Sequence, residues 1–198
     1  HVQITDTTFH QNSIKVFYAE RLSNATFTDV IVTDIGNNDL SPEWADPWNA
    51  GIDINLKYGS YVNIVFNNLT VSGNGIGAEN GVGLMVKARD DEPTYATDPA
   101  SLNGLTISGG TFTGNEAGIR FGEPGKDNTS PTNITVHNAI ITGNNQFGLA
   151  NVTAGVVVNA TDNWWGSASG PTHASNTFNV GSQGSAVSDN VAFAPWLD

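Results

Sequence analysis

A twelve-residue pattern returns along this chain, and its columns restrict the fold more tightly than composition does. It alternates polar and apolar residues, places Asp, Asn or Gly at a fixed point, resumes as outward, apolar, outward, and closes on a turn residue and usually Asn. Gapless copies occupy 1–12, 24–35, 63–74, 104–115 and 133–144, with a weaker copy at 157–166. Period-two alternation is the signature of a strand with one buried face. Recurrence in fixed columns marks one structural unit stacked on itself.

The columns assign roles. Val2, Ile4 and Phe9 are followed in the same places by Ala25, Phe27 and Val32, then Ile64, Phe66 and Val71, then Leu105, Ile107 and Phe112, then Ile134, Val136 and Ile141. Each trio reads as one layer of core. Between the halves of the unit stand Asp6, Asp29, Asn68, Gly109, Asn138 and Asp162, residue types that tolerate the left-handed conformation a sharp corner needs. A third apolar strand follows each unit, read as Ser13-Ile14-Lys15-Val16, Gly51-Ile52-Asp53-Ile54, Gly83-Leu84-Met85-Val86, Gly118-Ile119-Arg120-Phe121 and Gly148-Leu149-Ala150.

The expected fold is therefore all-β, a right-handed parallel β-helix of about six coils with three strands each. The basic coil is 23 or 24 residues, and insertions fall at 36–50, 75–82, 88–103 and 122–132. One domain spans 1–198, with coils over 1–165 and a C-terminal capping segment over 166–198. A β-sandwich lacks such gapless columns, and a leucine-rich repeat needs denser Leu.

Composition sets limits on function. The chain has no Cys, so neither disulfides nor thiolate metal sites are available. Nineteen Asp and Glu against seven Lys and Arg give a net charge of −12, which repels nucleic acid. No apolar run is long enough to span a membrane. No export signal opens the chain, and His1 already lies inside a repeat; the expectation is a processed piece of a longer protein with neighbouring domains of the same chain as partners.

With these columns in place, the chain resembles the pectate-lyase-like superfamily of right-handed parallel β-helices over essentially its whole length. The tail Asn163-Trp164-Trp165-Gly166, Gly170-Pro171-Thr172 and Pro195-Trp196-Leu197 is similar to the segment that closes β-helix regions in secreted and cell-surface bacterial proteins. That resemblance implies an extracellular location and an aromatic pair covering the open end of the last coil. In the superfamily the sheet of third strands carries the active site of pectate lyases and polygalacturonases. The polygalacturonase pattern is not met: Asn49-Ala50-Gly51-Ile52-Asp53 has Ala50 where a carboxylate should stand, and only Arg120 lies in a comparable strand.

The insertions flank that same sheet, so they wall a trough whose floor is the outward column Lys15, Asp53, Met85, Arg120 and Ala150, with Phe17, Asn55, Lys87 and Gly122 beside it. Trp44, Trp48, Asp53, Asn55 and Tyr95 form the expected ligand-binding set, since aromatic faces with polar groups suit sugars. Lyase chemistry would use Lys87, Arg89 or Arg120 as base, with calcium on Asp53, Asp90 and Asp91 acidifying the proton beside a uronate carboxylate. Strands about 4.8 Å apart put Asp53 and Arg120, two coils apart, about 10 Å from each other. The bland alternative pairs Lys15 with Asp53 on a solvated face.

Three readings follow. The first is an extracellular polysaccharide-binding or adhesin-like module whose partner is a polysaccharide or cell-surface glycan. The second is a polysaccharide lyase, with a glycoside hydrolase behind it, acting on an acidic polymer such as pectin or alginate. The third is an ice-binding solenoid, suggested by the outward Thr70, Thr111, Thr113 and Thr142 and interrupted by His10, Ile31 and Ile140; Thr also fits any pleated surface.

Overall fold

The computed structural model describes residues 1–37, 48–178 and 183–198. Trp44, most of the first insertion and residues 179–182 of the tail lie outside them. The described residues form strands and no helix: β1 (Val2–Thr5), β2 (Thr8–His10), β3 (Phe17–Ala19), β4 (Ala25–Thr28), β5 (Ile31–Thr33), β6 (Ala50–Leu56), β7 (Gly59–Ser72), β8 (Val82–Ala88), β9 (Ala100–Thr113), β10 (Ile119–Phe121), β11 (Thr132–His137), β12 (Ile140–Thr142), β13 (Leu149–Asn151), β14 (Val158–Asn159), β15 (Pro171–Thr172), β16 (Gly184–Ala186) and β17 (Val191–Ala192). Every pairing among them is parallel, including Ala25 with Ile64, Ile64 with Leu105 and Leu105 with Ile134. All-β architecture with parallel sheets is the arrangement expected of a parallel β-helix or solenoid.

The long sheet runs β1-β4-β7-β9-β11-β14-β17, with β2, β5 and β12 extending it past the corners. Its registers reproduce the sequence columns: Val2 faces Ala25, Ile4 faces Phe27, and Phe9 faces Val32. Farther along, Phe66 faces Ile107 and Val71 faces Phe112, then Val136 and Ile141 take the same files. From Ala25 to Ile141 these side chains are buried, and Phe27 stacks on Phe66 with ring centroids 4.8 Å apart. Burying each such side chain contributes about 1.5–3 kcal/mol.

The corner column holds as read. Asp6, Asp29, Asn68, Gly109, Asn138 and Asp162 all have φ between 49° and 68°. Asn and Asp accept this conformation because their short polar side chains bond locally, and Asn68 donates to Asp29 Oδ1 at 2.6 Å. The closing Asn of three successive units, Asn74, Asn115 and Asn144, forms a second file, buried at Asn74 and Asn115. Asn74 Nδ2 donates to Asn115 Oδ1 at 2.7 Å and to the Val32 carbonyl at 3.1 Å, and Asn115 Nδ2 repeats this toward Asn144 and Val71. Side-chain amides thus satisfy backbone groups that a bend would otherwise strand without water.

The third strands form the short sheet, β13-β10-β8-β6-β3. Its leading glycines are required: a Cβ on Gly51 would lie 2.6 Å from the Gly83 carbonyl oxygen, and one on Gly118 would lie 2.5 Å from that of Gly148. The first of these strands departs from the expected register. The strand is Phe17–Ala19, with Phe17 facing Ile52 and Tyr18 facing Asp53, so Tyr18 rather than Lys15 heads the outward column. Phe17 points inward and meets Phe27 edge-on at 5.1 Å. Ser13 mimicked the small leading residue; Val16, whose amide donates to the Gly51 carbonyl at 3.1 Å, holds that place.

The tail also differs from expectation. Trp165 is fully buried in the main core, and both sheets continue past it: Val158 of the long sheet faces Val191, and Val187 bridges to Leu149 of the short sheet. Trp165 therefore fills a layer instead of closing one, and Phe193 and Trp196 lie beyond it.

Candidate functional site

The short sheet is unusual in what its outer face carries. Every residue of β6, β8, β10 and β13 is buried, including those that point away from the core. Asp53, Met85, Lys87 and Arg120 are at most 4% exposed. The expected open trough is thus a covered floor, in register as read: Asp53 faces Met85, Met85 faces Arg120, and Asn55 faces Lys87.

Part of the cover is aromatic. The Trp48 ring lies over Lys87 Nζ at 4.6 Å and over the Arg120 guanidinium at 5.6 Å, a geometry in which the ring quadrupole attracts a desolvated cation. Trp48 also packs against Ala50, Val82, Met85 and Ala117.

The loops supply countercharges. Glu123 Oε2 lies 2.9 Å from both Lys87 Nζ and Arg89 Nη1. Arg89 grips Asp91 with two bonds, Nε to Oδ1 at 2.7 Å and Nη2 to Oδ2 at 3.0 Å. Asn128 ties the loops together: its Oδ1 accepts the Glu123 amide, while its Nδ2 donates to Asp91 and Asp90. Asp90 also accepts the amide and hydroxyl of Thr129. At the other end of the floor Lys15 Nζ stands 2.9 Å from Asp53 Oδ2. That pair was expected on a solvated face; Asp53 is instead fully buried, and neither of its oxygens accepts a hydrogen bond of good geometry.

These surroundings shift proton affinities in ways that follow from burial and pairing. Burial pulls the Lys87 ammonium below its ordinary value against the pull of Asp53 and Glu123. Burial likewise brings the Arg120 guanidinium down to about 10, so it stays charged at neutral pH. The Arg89 hydrogen bonds take Asp91 down to about 2.

Beyond the covered floor lies an exposed strip. Tyr18 and Tyr58 are 46% and 41% exposed, and Tyr58 meets the half-buried Tyr95 with ring centroids 5.6 Å apart. The Tyr95 ring is flanked by Arg89 at 4.5 Å and Lys57 at 6.0 Å. Lys57 pairs with Glu20, which accepts the Tyr18 hydroxyl at 2.6 Å; that hydroxyl in turn accepts Asn55 Nδ2 at 3.0 Å. Asn55 Oδ1 is buried and has no hydrogen-bond partner among the described residues. Lys15, Lys57, Lys87, Arg89, Arg120 and Lys126 stand on the floor, in the loops or in the strip, and the seventh basic residue, Arg21, acts electrostatically on Glu20.

The structure brings Trp48, Lys87, Arg89, Arg120 and Asp53 to one face and puts Asn55 and Tyr95 at its edge, while Trp44 falls outside the described residues. The trio Asp53, Asp90 and Asp91 does not form one cluster: Asp90 and Asp91 share Asn128, Asp53 stands beside Lys15, and no group of three or more His, Asp or Glu that could hold a metal is found among the described residues. Reading the sequence missed Tyr18, Tyr58, Lys57 and Glu20. A correct register for β3 would have drawn in Tyr18 and Glu20, whereas Tyr58 sits in the turn between β6 and β7 and carries no column signal.

Among the described residues no helix is long and apolar enough to cross a membrane. No family model, curated protein or solved structure matches the chain.

Proposed function

We propose that this chain is an extracellular polysaccharide-binding module, built as a right-handed parallel β-helix of about six three-stranded coils with a capping C-terminal segment, and carried with other domains in a longer secreted or cell-surface protein. The observation that supports it is the exposed strip Tyr18, Tyr58 and Tyr95 with Lys57, Arg89 and Asn55 along its edge. Aromatic rings in reach of water, next to fixed polar groups, suit the apolar face and hydroxyl rim of a sugar. Basic residues gathered here in a chain of net charge −12 favour an acidic glycan over a neutral one.

Affinity electrophoresis through uronate-containing and neutral polysaccharides tests this reading. The protein should be retarded by an acidic polymer, and a Tyr18→Ala, Tyr95→Ala double variant should run unretarded. Equal migration of both proteins on every polymer would remove the proposal.

One observation favours a second reading, a polysaccharide lyase: Lys87 is a buried amine with a lowered proton affinity, a property suited to a general base. Trp48 lies across it, so access would require that ring to move. Incubation with uronate polymers, with and without calcium, should then release product absorbing in the ultraviolet at a rate abolished by Lys87→Met.

A further inference from the structure

We propose that the C-terminal end of the molecule carries a second, unrelated site, a small aromatic cage for a quaternary ammonium group. Phe178 and Trp196 meet at 58° with ring centroids 5.8 Å apart, and Phe193 adds a third ring 6.2 Å from Trp196. The first two form an open V, and each side of it is a cleft, one of about 470 Å³ reaching Phe193 and one of about 300 Å³ reaching Asp198. A cation that settles in either cleft would meet ring faces in its lining, an attraction that acts within roughly 6 Å.

The rings differ in how they are held. Trp196 is fixed, with its indole N–H donating to the Ala168 carbonyl at 3.1 Å and its ring so close over Gly170 that a Cβ there would lie 2.6 Å from it. Phe178 is 65% exposed. An aromatic ring left this open beside a cleft offers its face to something other than the protein core.

Ligand class follows from what the rim lacks. Asn176 Nδ2 is spent on the Ser169 and Pro171 carbonyls, and its Oδ1 accepts the Phe178 amide at 3.1 Å. Ser175 is engaged with His173, and the indole N–H is taken. Among the described residues, that leaves Thr177 on the larger cleft and the Asp198 carboxylate on the smaller one as side-chain partners for a sugar. A trialkylammonium group asks for none; it needs ring faces and negative charge. No Lys or Arg follows Lys126 in the sequence, and Asp198 stands in the wall of the smaller cleft.

Isothermal titration of the whole chain with choline, and separately with its uncharged isostere 3,3-dimethylbutan-1-ol, decides the matter. Choline should bind with a dissociation constant on the order of 1 mM or tighter, and the isostere at least roughly tenfold more weakly. Phe178→Ala should weaken choline by about tenfold or more, and Phe178→Leu, which keeps apolar bulk without the ring, should do nearly the same. Asp198→Asn should cost a smaller factor. The proposal is overturned by silence with choline up to about 50 mM, a threshold well past any specific affinity, by equal binding of the isostere, or by unchanged affinity in folded Phe178→Leu. None of these outcomes bears on the tyrosine strip.

Discussion

The two large sheets are both parallel ladders whose strands alternate along the chain, yet they meet water differently. Along β7 of the long sheet buried and open positions alternate from Asn63 onward on either side of the corner at Asn68, so Ile64, Phe66, Leu69 and Val71 are inside while Asn63, Val65 and Asn67 are not. Along β6 and β8 of the short sheet no position is open. The long sheet is a one-sided surface whose outer residues are free to be Thr, Ser or Asn. The short sheet is covered on both faces, as parallel strands usually are, except that one cover is a layer of charge. The difference lies in the loops: insertions join the short sheet to its neighbours, and their Trp48, Glu123 and Arg89 fold back over it. The same backbone ladder thus supports a hydrated face and an ion-paired interior one.

The sharpest way to break this comparison is to remove one charge from the covered face. Glu123 balances both Lys87 and Arg89 at 2.9 Å with little exposure, and truncating one member of a buried ion pair leaves its partners uncompensated. Glu123→Ala should cost about 3–5 kcal/mol in denaturant unfolding, against less than about 0.5 kcal/mol for Thr111→Ala on the long sheet. Similar small values for both would show that the covered face is hydrated after all.

Acid offers a second contrast. The folded proton affinity of Asp91 is depressed, to about 2, chiefly by Arg89. A depressed carboxylate contributes stability that is fully present above its unfolded value of about 4 and is lost as pH falls toward 2. The expected loss between pH 5 and pH 2 is about 2 kcal/mol from this residue, and Asp91→Asn should flatten that part of the profile. An unchanged acid profile in the variant would mean the Arg89 clamp contributes nothing in solution.

The long sheet was legible in the sequence because its determinants are local. Each inward file needs only apolar residues at period two, and each corner needs a residue tolerant of positive φ, so columns translated directly into registers from Val2 through Ile141. The short sheet was legible only in its strands. Its leading glycines gave four of five registers, but Ser13 drew the first strand three residues out of place. The burial of Asp53 and Lys87 could not be read at all, since alternation says which side a residue faces and is silent about what folds over that side. Trp165 was misplaced for a related reason: a Trp at the end of a pattern looks the same whether it fills the last layer or one beneath another.

Corner residues test whether the long sheet's stability is as local as its sequence signal. Asn68, at φ 51°, should lose about 1–2 kcal/mol when replaced by Val, whose branched Cβ opposes the left-handed conformation. Asn68→Gly should be nearly neutral, with the lost bond to Asp29 offset by relief at φ. If Val is tolerated as well as Gly, the corner conformation is not what the Asp, Asn and Gly column selects.

The smallest effect sharpens the comparison from within one kind of interaction. Lys57 pairs with Glu20 at the rim, where Glu20 is 45% exposed, whereas Lys87 pairs with Glu123 beneath Trp48 at single-digit exposure. Both are lysine–glutamate contacts in which the carboxylate has a second partner, Tyr18 at the rim and Arg89 beneath the cover, and they differ most in access to solvent. An exposed pair is screened by salt and contributes at most about 1 kcal/mol, so Lys57→Met should shift the denaturation midpoint slightly at low ionic strength and hardly at all in about 0.5 M salt, where the Debye length is a few ångströms. The cost of Glu123→Ala should survive the same salt nearly unchanged, because ions do not enter the covered face to replace the missing carboxylate. Parallel salt dependence of the two variants would mean that Trp48 and the loops around it open readily, and the distinction between the sheets would then be one of average conformation, not of solvent access.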